Sequence, residues 1–265
     1  DENRAVIVDF VKRKLKVGGL LYISYNTLPG WNTIAPLRHL MVQHSAIIGS
    51  DGQGPVGRLS GALEFIDKLI SSEPAYARAN PQAAARLEQM KTNDRNYLVH
   101  EYLNYHWVPM YFSQVAEHLS SAKLDYATSA NYLDAVDAVN LTAPQMEVLN
   151  NLPTQNFRQT VRDYCVNQKF RKDYWVKGPR KLSRIEQIER IRKLRFILAV
   201  PHEDIQLKVV GALGEATLNE NVYKSVIDYL ADYKVRSFSE IEHALQARQI
   251  GFPQIMEVLL ILCAD

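Results

Sequence analysis

The segment "LKVGGLLYISYNTLPGW", residues 15–31, restricts the possible fold more than any other stretch. A helical pattern over residues 3–15, with Val6, Phe10, Val11 and Leu15 on one face, runs into Gly18-Gly19 and then into an apolar, β-rich run at 20–25. Helix, glycine pair and short buried strand make half of an α/β unit. Such a strand needs neighbours to cover it, because parallel strands occur almost only inside larger covered sheets. Those neighbours are expected upstream of Asp1. The opening "DENRAVIVDFVKRKLKVGG" has no initiator Met and no secretory pattern, and reads as a helix cut from a longer chain.

From Ile34 to about residue 121 the pattern is helical. Pro36 suits a first turn, and Leu37, Leu40, Met41, His44, Ile47 and Ile48 follow at i, i+3, i+4 spacing. Residues 49–61 read as a glycine-rich loop, followed by a helix with Leu63, Ile66, Leu69 and Ile70. Asn80 and Pro81 open an Ala-rich helix, and two more helices are expected around "NYLVHEYLNYHW" and "PMYFSQVAEHL". Then α/β texture returns. "KLDYATSA" reads as a strand, "NFRQTVRDYCVNQ" as a helix with Phe157, Val161 and Tyr164 at helical spacing, and "KDYWVKG" as a strand ended by Gly178-Pro179. After a basic helix at 183–193, "RFILAV" and "IQLKVVG" suggest a hairpin around residues 201–204. Three short helices finish the chain, marked by Asn221, by the capping-box pair Ser237 and Glu240, and by Pro253. A hairpin with three short helices suggests a winged-helix-like module.

The 265 residues are 47% apolar and 23% charged, ordinary for a soluble globular protein. No stretch approaches the roughly 20 uninterrupted apolar residues of a membrane span. Cys165 and Cys263 are isolated from each other, which excludes a disulfide framework and fits a reducing cytoplasm. The net charge of +2 conceals an uneven distribution: residues 156–195 hold 13 Lys or Arg against 4 Asp or Glu. That stretch, with Phe157, Phe170, Tyr174 and Trp175 interleaved, raises nucleic-acid binding. The following residues 196–265 carry 5 basic against 10 acidic groups, and phosphates would repel them. A solvated or interdomain basic face is the preferred reading.

"GQGPVG", residues 52–57, matches G-x-G-x-x-G, but a helical segment precedes it and Pro55 removes a donor from any phosphate cradle. It reads as a flexible surface loop. "HEYLNYH" fails as a zinc-protease motif, since position 104 is Asn104 and His106 would lie about 240° round a helix from His100. What remains is one helix dense in hydrogen-bonding side chains: Tyr97, His100, Glu101 and Tyr102. Neither a metal-ligand set nor a nucleophile with its base emerges, so catalytic residues are left unassigned.

Several stretches together resemble one family. "RKLKVGGLLYISYNTLPGW" is similar to the end of the catalytic domain of bacterial class I S-adenosylmethionine-dependent methyltransferases that carry a methyltransferase regulatory domain. "NDRNYLVHEYLN", "FSQVAEHLSSAKLDYATSA" and "NQKFRKDYWVKGPRKLS" resemble the regulatory region and the segment after it. "VVGALGEATLNENVYKSVIDYLA" resembles the C-terminal module of protein-lysine methyltransferases of this type.

The resemblance implies a mainly α chain with an α/β remnant: a partial Rossmann-like methyltransferase sheet, a helical insertion and a C-terminal winged-helix-like module. Residues 1–30 would end the catalytic sheet, with its fifth strand at 20–25. Residues 31–121 would form a helical regulatory or dimerisation region, residues 122–180 the last strands and helix of the sheet, with Tyr126 and Tyr174 in them, and residues 181–265 the terminal module. S-adenosylmethionine is implied for the intact parent only, because the cofactor loop and its acidic partner would precede Asp1. Ligands collect at the carboxyl ends of strands in open α/β sheets, so Tyr25, Asn26 and Trp31, with His100, Glu101 and Tyr102, are expected on the substrate side. There Trp31 and the tyrosines would flank an alkylammonium chain, while Glu101 or His100 would orient the amine or accept its proton. The expected partners are a protein substrate and a second copy of the chain, with neither membrane nor nucleic acid. A non-catalytic module that mediates homodimerisation is the alternative, and a nucleic-acid-binding winged helix a weaker one.

Overall fold

The computed structural model describes residues 2–264. Helix α1 (Glu2–Lys14) places Lys12, Arg13 and Lys14 in its last turn, where cations meet the negative end of the helix dipole. Gly18 then takes φ +79°, a left-handed conformation that strains any side chain, and turns the chain into strand β1 (Leu20–Asn26). Helices follow: α2 (Leu28–Trp31), α3 (Ala35–Ile47), α4 (Gly54–Ser71), α5 (Ala75–Ala79), α6 (Pro81–Thr92), α7 (Arg95–Tyr102) and α8 (Phe112–Ser120). A first-turn proline opens α2, α3, α4 and α6, at positions where its missing N–H has no helical partner to lose.

Strand β2 (Leu124–Ser129) leads through α9 (Asp137–Asn140), α10 (Ala143–Asn150) and α11 (Gln155–Cys165) to strand β3 (Phe170–Lys177). Then come α12 (Arg184–Arg192), β4 (Arg195–Phe196), β5 (Lys208–Gly211), β6 (Gly214–Thr217) and α13 (Glu220–Leu230), followed by β7 (Arg236–Ser237), α14 (Phe238–Leu245) and α15 (Phe252–Leu262). Capping boxes start α12 at Ser183 and α14 at Ser237. No helix among the described residues is long and apolar enough to cross a membrane.

The chain divides into two compact units. One comprises the residues up to 24, residues 112–166 and those from 171 onward; the other comprises residues 25–111 and 167–170. In the first, a three-stranded sheet has the order β1-β3-β2. Strands β2 and β3 are antiparallel, pairing Leu124 with Lys177 and Ser129 with Asp173 across an irregularity between Tyr126 and Thr128. The Gly18 N–H donates to the Lys177 carbonyl before β1 and the Thr27 N–H to the Lys169 carbonyl after it, each at 2.8 Å, so residue numbers fall along β3 as they rise along β1 and the two strands are antiparallel. Phe112 stacks on Trp175 at 5.4 Å and meets Tyr126 edge-on at 5.2 Å, which seats α8 on the sheet. A second core of this unit gathers Val226, Phe238, Ile241, Ile255 and Val258 from the three C-terminal helices.

In the other unit α3, α4, α6 and α7 enclose Leu37, Met41, Leu59, Ile66, Leu87 and Leu98. This follows from the 3.6-residue spacing of their apolar side chains.

Several expectations are corrected. Of the four residues assigned to one face of α1, Val11 is buried, whereas Val6 and Phe10 are 62% and 56% exposed. Residues 49–61 are not a loop: a 3-10 turn occupies Asp51–Gln53 and α4 starts at Gly54, because Pro55 is a favourable first-turn residue. Strand β1 stands at one edge of the described sheet, with β3 and then β2, both from later in the chain, on its other side. The hairpin lies later than predicted, at β5 and β6. Pro201 cannot donate to a ladder and a 3-10 turn follows it, so Arg195 and Phe196 pair with Ser237 and Arg236 instead. The cap of α13 is Asn219, which accepts from the Val222 N–H, rather than Asn221. Helix α11 buries Gln159, Arg162 and Asp163, while Phe157 and Tyr164 are exposed. Arg162 and Arg171 are likewise buried, so the basic stretch is not wholly a solvated face.

Candidate functional site

The site is built at the end of β1, within the helical unit. Beyond Tyr25, which is half-buried, the Met110 N–H donates to the Asn26 carbonyl at 2.9 Å. The Thr27 N–H donates to the Lys169 carbonyl at 2.8 Å, and its fully buried hydroxyl donates to the Gln168 carbonyl at 2.5 Å. With its backbone held on both sides, the strand end presents the Asn26 amide in one direction. Asn26 Nδ2 donates to Glu101 Oε1 at 3.2 Å.

Helix α7 supplies Glu101. Asp94 caps it by accepting from the Tyr97 N–H at 2.9 Å. Leu98 and Tyr102, four residues apart, face inward, Glu101 borders that face half-buried, and Tyr97 and His100 are exposed. The helix ends at Tyr102, so Asn104 and His106 lie in a turn closed by the Asn104 side chain, which accepts from the His106 N–H. The predicted continuous helix through His106 is therefore corrected.

Trp31 and Tyr102 do not form open walls. They are 5% and 1% exposed, their rings meet edge-on at 5.6 Å, and Trp107 packs against Trp31 at 5.1 Å. Packing into an aromatic core outweighs exposure of such large rings. Their role is to brace α7 against the strand end, which revises the expectation that they flank a substrate directly.

Two residues at the site had not been singled out from sequence. Arg38 of α3 lies over the Trp107 ring at 4.3 Å and donates to the Asn104 carbonyl. Burial pulls its guanidinium below the ordinary arginine range, and attraction to Glu101 opposes that. Glu101 is thus positioned by an amide and lies near one cation, and its carboxylate oxygens can accept from a further donor such as an ammonium group. The only sequence signal for Arg38 was a charge directly beside the buried Leu37 and Met41 stripe; for Trp107 there was none beyond a large aromatic in a turn.

Comparison with known proteins adds a family-model match over part of the chain. Residues 94–177, which include Glu101, match the family model described as "Predicted methyltransferase regulatory domain". The uncharacterized protein sll1526 of Synechocystis sp. is 37% identical over 261 residues, which is 98% of this chain and 51% of that protein. The uncharacterized protein RP789 of Rickettsia prowazekii is 28% identical over 217 residues, 82% of this chain and 38% of that protein. The chain therefore spans about half the length, or less, of these relatives. Among solved structures, PKMT2 from Rickettsia typhi superposes with a TM-score of 0.64 at 18% identity, covering 100% of this chain and 52% of PKMT2. The same protein in complex with AdoHcy gives a TM-score of 0.63 at 19% identity over 98% of this chain and 52% of that one. At such identities the likeness establishes the fold.

Proposed function

We propose that this methyltransferase-related chain supplies the regulatory and substrate-side portion of an S-adenosylmethionine-dependent protein-lysine methyltransferase. The observation that carries the proposal is the hydrogen bond from Asn26 to Glu101. It ties the end of the strand that resembles a methyltransferase sheet strand to a helix inside the region matched by the regulatory-domain model. The fold likeness to PKMT2 supports the same reading.

In this proposal Glu101 anchors the lysine amine, with His100 exposed one residue earlier on α7 to take its proton. Asn26 orients the carboxylate, and Trp31 and Tyr102 hold the two elements in register. Methyl transfer needs a neutral amine in line with the methyl group, so positioning supplies much of the rate.

The one glycine-rich stretch that matches a nucleotide motif offers S-adenosylmethionine no cradle. The glycines of "GQGPVG" fall in a 3-10 turn and the start of α4, after a helix rather than a strand, and Pro55 lacks a donor. The proposal accordingly assigns cofactor binding to the remainder of a longer protein.

The longer protein, incubated with S-adenosylmethionine and cell protein, is expected to methylate lysine, detected by mass spectrometry. Glu101→Gln is expected to lower kcat/KM by about 10- to 100-fold with the fold intact by circular dichroism. Absence of cofactor-dependent lysine methylation by the unaltered protein sinks the reading, and unchanged kinetics in the variant removes Glu101 from the substrate side.

A further inference from the structure

The helical unit contains a pocket of about 130 Å³ between the chain at Gly30 and Trp31, helix α6 and residues 167–169. The α6 wall is Gln82, Ala85, Arg86 and Gln89, whose i, i+3, i+4, i+7 spacing places them on one helix face, with the short Ala85 leaving room between longer neighbours. Lys169 lies opposite. The Gly30 N–H donates to the Gln168 carbonyl at 2.8 Å, and a Cβ at residue 30 would come within 2.4 Å of Lys169 Cγ. Glycine is what lets this turn close and bring Lys169 to the pocket.

The charged residues lining the pocket are Arg86 and Lys169, and no carboxylate joins them there. Arg86 donates to the Tyr102 hydroxyl and to Gln89 Oε1, each at 3.2 Å. Both acceptors are neutral, so the guanidinium is oriented without being neutralised. Among the described residues no acid pairs with Lys169; the residue is exposed overall, but partial desolvation of its ammonium, followed by repulsion from Arg86, holds that group below the ordinary lysine range. Two like charges facing one small polar pocket raise each other's energy, and an anion between them reverses the sign of that interaction.

We propose that this pocket binds a compact oxyanion, a phosphate group, between Arg86 and Lys169. Two cations match a dianionic phosphate better than a singly charged carboxylate, and a guanidinium fork suits two phosphate oxygens. The volume is well below the roughly 300–1,000 Å³ of sites that enclose drug-sized ligands, so the phosphoryl group itself, and not an attached nucleoside, is what it encloses. The phosphate arrives either free or on a phosphorylated side chain. Tyr102 joins the pocket to the aromatic core through Arg86 and Trp31, but the inference does not depend on methyl transfer.

The test is calorimetric titration of the whole chain at constant ionic strength with inorganic phosphate, O-phosphoserine and, as a monoanion, acetate. Saturable one-to-one phosphate binding is expected, weakened about tenfold or more in Lys169→Gln and in Arg86→Gln, because each removes a charge-assisted hydrogen bond. Lys172→Gln, an exposed lysine of the other unit, is expected to bind as the unaltered chain does. Tighter phosphoserine identifies a phosphorylated side chain as the source, and tighter inorganic phosphate identifies the free ion. Lack of saturation, equal affinity for acetate, or undiminished binding in Lys169→Gln overturns the proposal. Lys169 is an exposed residue, so that variant keeps the test decisive even if Arg86→Gln disturbs the fold.

Discussion

Helix α4 turns Leu59, Ala62, Leu63 and Ile66 inward, whereas α11 turns Gln159, Arg162 and Asp163 inward and leaves Phe157 and Tyr164 exposed. In α4 each large apolar side chain contributes about 1.5–3 kcal/mol by leaving water, and any well-packed apolar neighbour will serve. In α11 the buried face depends on specific polar partners: Arg162 donates to the Asp134 carbonyl, while Gln159 and Asp163 share one guanidinium. Arg171 of β3 donates to both oxygens of Asp173, at 2.8 and 3.1 Å, to Gln159 at 3.0 Å, and to Asp163. Phe112 and Tyr126 cover the guanidinium at 4.5 and 5.5 Å. Removing ions from water costs several kcal/mol each, and geometry alone offsets it. The contrast teaches that an apolar face is specified by its own composition, while a buried polar face is specified by the strand it meets.

Removing that guanidinium is the strongest way to break the comparison. Arg171→Met leaves Asp163 and Asp173 buried without their shared cation, and a loss of about 3–5 kcal/mol is expected in urea unfolding followed by circular dichroism. A loss below about 1 kcal/mol means that the cluster is not what holds α11 to the sheet.

A smaller effect concerns pH. Burial pushes the Asp163 carboxyl up to about 6 from its ordinary 3.8, against the opposing pull of Arg171, and its second oxygen has no hydrogen-bond partner among the described residues. The folded chain then holds this proton at a pH where the unfolded chain has released it. Stability from this group is fully present below about pH 4 and is lost as pH rises through about 6. Relative to Asp163→Asn, the unaltered chain is expected to lose about 1–3 kcal/mol between pH 4 and 7. Parallel stability curves for the two proteins contradict the raised carboxyl.

The smallest effect sharpens the point. Phe157→Ser changes an apolar residue of α11 to a polar one, yet Phe157 is 50% exposed and the expected change is within about 0.5 kcal/mol by the same unfolding measurement. A cost of about 2 kcal/mol or more would mean that the apolar face of α11 is covered after all.

Much of the architecture was legible because it is written in short-range chemistry. Gly18-Gly19, the run at 20–25, the first-turn prolines and the Ser237 and Glu240 capping box act within a few residues of themselves, and each stands where expected. The hairpin was misplaced because "RFILAV" has strand character without a partner beside it, and its first residues pair with Arg236 and Ser237 instead. For the candidate site, Asn26 and Glu101 were each recognisable from local surroundings, but their meeting at 3.2 Å joins residues 75 apart. Arg38 and Trp107 were passed over because each is unremarkable until α3 and the turn after α7 come together.

By itself, then, the sequence determined most of the helical run, strands at 20–25 and within 123–130 and 172–178, and the Ser237 and Glu240 capping box, all set by periodicity and turn geometry among near neighbours. Tertiary structure alone decided that Trp31 and Tyr102 close into a core, that Glu101 is held by Asn26 and lies near Arg38, and that α11 buries its charges. The physical reason is the same in each case. Whether a ring is covered or a charge is tolerated depends on the groups that surround it in three dimensions, and those groups come from distant parts of the chain.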